Sequence, residues 1–131
     1  MSEEDADGGR DFSVLTRQMR GMPVVQVSGE VDLATIPDMR REISAALDNG
    51  AAGSEGHPAA LVLDLTQTRF FDSAGIGLLV EQRRELEDRG TAFGLVVGEG
   101  PVLRVLEHTD LERIIPIYPD PVTAAESLSG A

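Results

Sequence analysis

The 131-residue chain contains no cysteine, no tryptophan and no lysine. Without cysteine there is no disulfide, no thiolate nucleophile and no cysteine metal site, and redox chemistry leaves no mark of the compartment. Without lysine, every mechanism that needs its amine is excluded: Schiff bases, the phosphate loop with its lysine, and receiver-type phosphotransfer. Each of the 11 cationic side chains is an arginine. Aromatic residues make up only 4% of the chain, so Val, Leu, Ile and Ala must pack the core. No apolar run approaches the roughly 18 residues of a membrane span.

What is present is acid. Against those 11 basic residues stand 23 acidic ones, a formal net charge of -12, so a nucleic-acid backbone or an anionic membrane is repelled. The expected partners are proteins with basic patches, with no direct nucleic-acid or membrane contact. Residues 1–11 read MSEEDADGGRD, acidic and polar where a secretory signal is basic and then apolar. The expectation is a cytoplasmic protein with a disordered acidic tail over 1–11 and a single domain over 12–131, long enough to bury one core.

Apolar and β-branched residues in Phe12–Arg20 and Val24–Ser28, separated by Gly21-Met22-Pro23, predict an antiparallel hairpin. Ile36, Met39, Ile43 and Leu47 then recur at helical spacing, with Thr35 as cap and Pro37 in the first turn. The stretch Gly50 to Pro58 holds three glycines and reads as a loop, whereas Ala59–Leu65 is a nearly continuous apolar run, expected as a central strand buried on both faces. From Ser73 to Arg89 the set Ile76, Leu79, Val80 and Leu86 predicts a second amphipathic helix. A strand over Ala92–Val97, a helix over Pro101–Thr109, an edge strand over Arg113–Ile117 and a helix over Pro121–Leu128 complete the series. Strands alternating with helices imply an α/β fold: a mixed, mostly parallel sheet of about five strands with about four helices.

Chemistry concentrates in Leu61 to Val80, where a buried strand is expected to end in a loop delivering Phe70-Phe71-Asp72-Ser73 to the start of a helix. Ligand sites of open α/β sheets sit at such places. At the N-cap or first turn, unpaired backbone N–H groups and the positive end of the dipole would stabilise a phosphate on Ser73. Serine is also a preferred N-cap, a bond of about 1 kcal/mol, and the two roles are compatible. Ala74, Gly75 and Gly77 leave the approach to Ser73 open, and each glycine costs about 1 kcal/mol in a helix, which a requirement for close approach explains and a cap does not.

Glu30, Asp32, Asp64 and Asp72 fall at or near expected strand ends and could converge on one sheet edge, where acidic clusters can hold a divalent cation. A solvated loop or capping role is favoured for Glu30 and Asp64, and no metal or cofactor is assigned. A hydrolase with Ser73 as nucleophile is poorly supported. Phe71-Asp72-Ser73-Ala74-Gly75 lacks the first glycine of the nucleophile elbow, and neither His57, in the loop, nor His108, near a helix end, is spaced as its base.

Gly29-Glu30-Val31-Asp32, Leu61-Val62-Leu63-Asp64-Leu65 and above all Phe71-Asp72-Ser73-Ala74-Gly75-Ile76-Gly77-Leu78-Leu79 resemble the STAS family, shared by sulphate transporters and bacterial anti-sigma factor antagonists. The resemblance runs from about Phe12 to about Ser127. It implies a non-enzymatic regulator that binds an anti-sigma factor with GHKL-type serine kinase activity, frees a sigma factor, and is switched off when that kinase phosphorylates Ser73. A serine phosphatase would reverse the switch. The partner surface implied is Glu30, Asp32, Asp72, Ser73, Ala74, Gly75, Ile76 and Gly77. Stand-alone length favours the soluble antagonist over a transporter-attached domain. The alternative is a scaffold that is never phosphorylated, within a signalling or transport-associated complex.

Overall fold

The computed structural model describes residues 11–49 and 58–129. The acidic tail up to residue 10 and the glycine-rich stretch 50–57, with His57, lie outside the described residues. Five strands, β1 (Phe12–Met19), β2 (Met22–Val31), β3 (Ala60–Phe71), β4 (Ala92–Val96) and β5 (Ile117–Tyr118), form one sheet in that order. β1 pairs antiparallel with β2, and every later pair is parallel. The helices are α1 (Ile36–Asn49), α2 (Ser73–Asp88), α3 (Pro101–His108) and α4 (Pro121–Leu128). The α/β architecture therefore matches the expectation, with β3 central.

Strand order equals chain order, so the three parallel crossovers advance in one direction and place α1, α2 and α3 on one face. Their apolar residues, including Met39, Ile43, Leu78, Leu79, Val102 and Leu106, pack with Val25, Val27, Leu61, Leu63 and Leu95 in the larger core. Alone on the other face, α4 covers Met22, Val24, Ala60, Val62 and Val96 with Ala124 and Ala125. The end of that second face towards Ser28, Glu30 and Phe70 receives no helix from this cluster.

Several boundaries differ from expectation, each for a physical reason. The hairpin turn is only Arg20-Gly21, at φ 53° and 80°, and β2 begins at Met22. Pro23 is accommodated because it precedes Val24, the first residue paired with β3. β3 continues past Leu65 to Phe71 because β2 pairs with it to the end, through register slips between Gln26 and Ser28 and between Gly29 and Glu30. The expected loop before Ser73 is thus one residue, Asp72. α2 turns Gly75, Leu78, Leu79, Gln82 and Leu86 inward, whereas Val80 is exposed. The run Ile76 to Val80 is apolar on more than one helical face, so spacing alone did not select the buried stripe. The strand expected over Arg113–Ile117 is replaced by a 3-10 turn at Leu111–Arg113 and the two-residue β5. Pro116 has no N–H to offer and contributes only its carbonyl, to Leu95 N–H at 2.9 Å.

Candidate functional site at the C-terminal ends of β2 and β3

The site is built where two neighbouring parallel strands end. Val31 lies opposite Phe71, and the Asp72 N–H donates to the Val31 carbonyl at 3.3 Å. The turn Asp32–Thr35 leaving β2 and the junction Asp72-Ser73 leaving β3 are therefore side by side.

Asp72, not Ser73, caps α2. Its Oδ1 accepts the Ala74 N–H at 2.9 Å, and its carbonyl accepts from Gly75 at 3.0 Å and Ile76 at 3.2 Å. Ser73 is the first helical residue and is exposed. Its hydroxyl makes no hydrogen bond among the described residues, so the serine cap allowed by the sequence is not formed and the group faces solvent. The two glycines part company. A Cβ on Gly75 would lie 2.7 to 2.9 Å from the buried Phe71 ring, so its small size serves internal packing, whereas a Cβ on Gly77 would meet no other part of the fold within 4 Å among the described residues. Only Gly77 fits the expectation of an open approach.

Across the junction, Asp32 folds its turn. Oδ1 accepts the Ala34 and Thr35 N–H groups at 3.0 and 3.2 Å, and the Ile36 N–H bonds the Asp32 carbonyl at 3.1 Å. The buried Thr35 hydroxyl, expected as the helix cap, instead donates to the Glu30 carbonyl at 3.1 Å and accepts the Asp32 N–H at 3.0 Å. Glu30 is half-buried opposite Phe70, and its N–H bonds the Asp11 carbonyl at 2.9 Å. Leu33, at the tip of the turn, is 78% exposed.

The structure thus sets the Asp32 turn next to the Asp72-Ser73 junction, from which Ala74, Gly75, Ile76 and Gly77 continue into α2, while Glu30 precedes that turn on β2, paired with Phe70. Asp64 stands apart: it is 2% exposed within β3, accepting the Thr66 N–H at 2.9 Å and the Thr66 hydroxyl at 2.7 Å. Its place is inside the strand, contrary to the expected strand end, because the β3 ladder continues beyond it. Among the described residues no three His, Asp or Glu side chains form a metal-holding group. His108 is exposed in the last turn of α3, with no hydrogen bond to Ser73 among the described residues. Leu33, which the sequence analysis did not single out, is a lone large apolar residue between Asp32 and the start of α1.

An α/β sheet in sequential order with a capped serine junction after its central strand defines a class, and the comparisons give its family. Residues 13–124 match the STAS domain, and the chain belongs to that family. It is 28% identical over 109 residues to an anti-sigma F factor antagonist of Paenibacillus polymyxa, spanning 83% of this chain and 88% of that one. A crystal structure of an anti-sigma factor antagonist from Mycobacterium paratuberculosis superposes with a TM-score of 0.78 at 29% identity, covering 90% of this chain and 94% of that one. The anti-sigma factor antagonist SpoIIAA in its unphosphorylated form shares the fold, with a TM-score of 0.70 at 22% identity over 91% of this chain and 98% of that one. Among the described residues no helix is long and apolar enough to cross a membrane.

Proposed function

We propose that this protein is an anti-sigma factor antagonist whose binding to an anti-sigma factor is switched off by phosphorylation of Ser73. The observation that carries the reading is the Ser73 hydroxyl: exposed, without a hydrogen bond among the described residues, and held at the first turn of α2 because Asp72 has taken the cap. The antagonist half of this reading is supported by the similarity to anti-sigma factor antagonists.

The unmodified surface formed by Glu30, Asp32 and the first two turns of α2 docks on the anti-sigma factor and displaces a sigma factor from it. The partner is a GHKL-type serine kinase that transfers the γ-phosphoryl of ATP to Ser73 Oγ, releasing ADP. The phosphate adds about -1.5 to -2 charge beside the Asp72 carboxylate. Within the protein this is tolerable, since the phosphate lies at the positive end of α2. Inside a closed interface it must be desolvated against a neighbouring carboxylate, and a like-charge contact there costs several kcal/mol, more than about a hundredfold in affinity. No rearrangement of the fold is needed. A serine phosphatase resets the switch, and the protein itself acts as a cytoplasmic binding module without catalysis.

Incubation with the GHKL-type kinase of the same genome, ATP and magnesium, followed by intact mass, tests the assignment. One added phosphate is expected, absent in Ser73→Ala. Phosphate mapped to Ser28, Ser54 or Ser127 overturns the Ser73 assignment, and no added phosphate leaves the non-phosphorylated scaffold as the better reading.

A further inference from the structure

Two large apolar side chains near the C-terminal ends of β2 and β3 are exposed. Leu33 is 78% exposed and Phe70 50%. Both leave the same end of the sheet as Ser73: Leu33 two residues beyond Val31, whose carbonyl holds Asp72, and Phe70 two residues before Asp72. They stand on opposite sides of the junction. Phe71 belongs to the core beneath α1 and α2, so Phe70, paired with Glu30, faces the other side of the sheet, whereas Leu33 tops the turn into α1.

Neither exposure is incidental to a loose loop. The turn carrying Leu33 is held by Asp32 Oδ1 and the buried Thr35 hydroxyl, so it cannot fold over to bury the leucine. Phe70 is kept opposite Glu30 by the register slip after Gly29 and is followed at once by the buried Phe71. Around the pair lie the Glu30, Asp32 and Asp72 carboxylates on a chain of formal net charge -12. Exposed apolar anchors set among charged side chains are the anatomy of a protein interface.

We propose that Leu33 and Phe70 are the anchors of the Ser73 surface, and that the partner offers two apolar pockets rimmed by Arg or Lys; this rests on the function proposed above. The arrangement adds a reason for the switch to work. A phosphate on Ser73 stands between the two anchors, so neither can seat without desolvating it.

Calorimetry against the kinase anti-sigma factor of the same genome tests this with wild type, Leu33→Ala, Phe70→Ala and Leu15→Ala. Leu15 is 63% exposed on β1, away from Ser73, and serves as the control. Leu33→Ala and Phe70→Ala should each weaken binding by about tenfold or more, with Leu15→Ala within about twofold. Leu33→Ala should keep the wild-type melting temperature, since an exposed leucine adds little to the core. Wild-type affinity in Leu33→Ala, or an equal loss in Leu15→Ala, overturns the anchors while leaving the Ser73 reading intact. No binding by wild type overturns both. A wild-type dimer that Leu33→Ala converts to monomer assigns the patch to a second copy of this chain and overturns the proposal.

Discussion

The Asp72 N–H bonds the Val31 carbonyl at 3.3 Å, and through it the end of β3 is tied to the end of β2. That one relationship sets the acidic turn at Asp32 beside the serine at the start of α2. With Asp72 Oδ1 on the Ala74 N–H, it also leaves the Ser73 hydroxyl out of the helix cap.

The division of labour between these neighbours is measurable. Asp72→Ala should cost about 1 kcal/mol and a few degrees of melting temperature, and Asp72→Asn much less, because an asparagine oxygen also caps. Ser73→Ala should stay within about 0.5 kcal/mol of wild type. Thermal unfolding of the three variants checks this, and a larger loss in Ser73→Ala than in Asp72→Ala would reverse the assignment.

Gly75 and Gly77 should respond with opposite signs. Gly75→Ala drives a methyl to within 2.7 Å of the buried Phe71 ring and should cost about 1 to 3 kcal/mol. Gly77→Ala meets nothing and should gain up to about 1 kcal/mol from helix propensity. Chemical denaturation of both variants decides.

Gly29 has φ +100°, and a Cβ there would fall 1.6 Å from the Asp11 carbonyl oxygen. Gly29→Ala must therefore push the start of β1 off β2 and break the bond from Glu30 N–H to Asp11. The expected result is a loss of more than about 2 kcal/mol, with hydrogen exchange rising first at Phe12 to Val14.

Two carboxylates report on pH. The hydrogen bond from Arg40 holds Glu81 below its ordinary 4.5, and the Thr123 backbone N–H and hydroxyl hold Asp120 below its ordinary 3.8. A pKa depressed by folding contributes stability that is whole above the ordinary value and is lost as pH falls through the folded one. Protonation of a chain at -12 relieves repulsion over the same range, so differences between variants are the useful quantity. The melting-temperature gap between wild type and Glu81→Gln should be constant from pH 7 to about 5 and close below 4.5. A gap that widens on acidification contradicts the Arg40 pairing.

Much of this was legible in the sequence because its signals are local. Alternation and helical spacing located the hairpin, α1 and the buried start of β3, and Asp72-Ser73 was readable as a strand-to-helix junction. What was hidden depends on tertiary pairing. The β3 segment from Thr66 to Arg69 carries no apolar alternation, and it is strand only because β2 runs alongside it. Which of Asp72 and Ser73 caps α2 turns on one backbone geometry, and the inward stripe of α2 turns on where α1 lies. That Leu33 stays exposed depends on the bonds of Asp32 and Thr35, which fix the turn that carries it.

The most direct test compares the same protein with and without its phosphate. Calorimetry of unmodified, Ser73-phosphorylated, Ser73→Ala and Ser73→Asp protein against the kinase anti-sigma factor should give equal affinity for the unmodified protein and Ser73→Ala. Ser73→Asp should bind more weakly, and the phosphorylated form more weakly still, by more than about a hundredfold. Equal affinity for all four forms would contradict the switch.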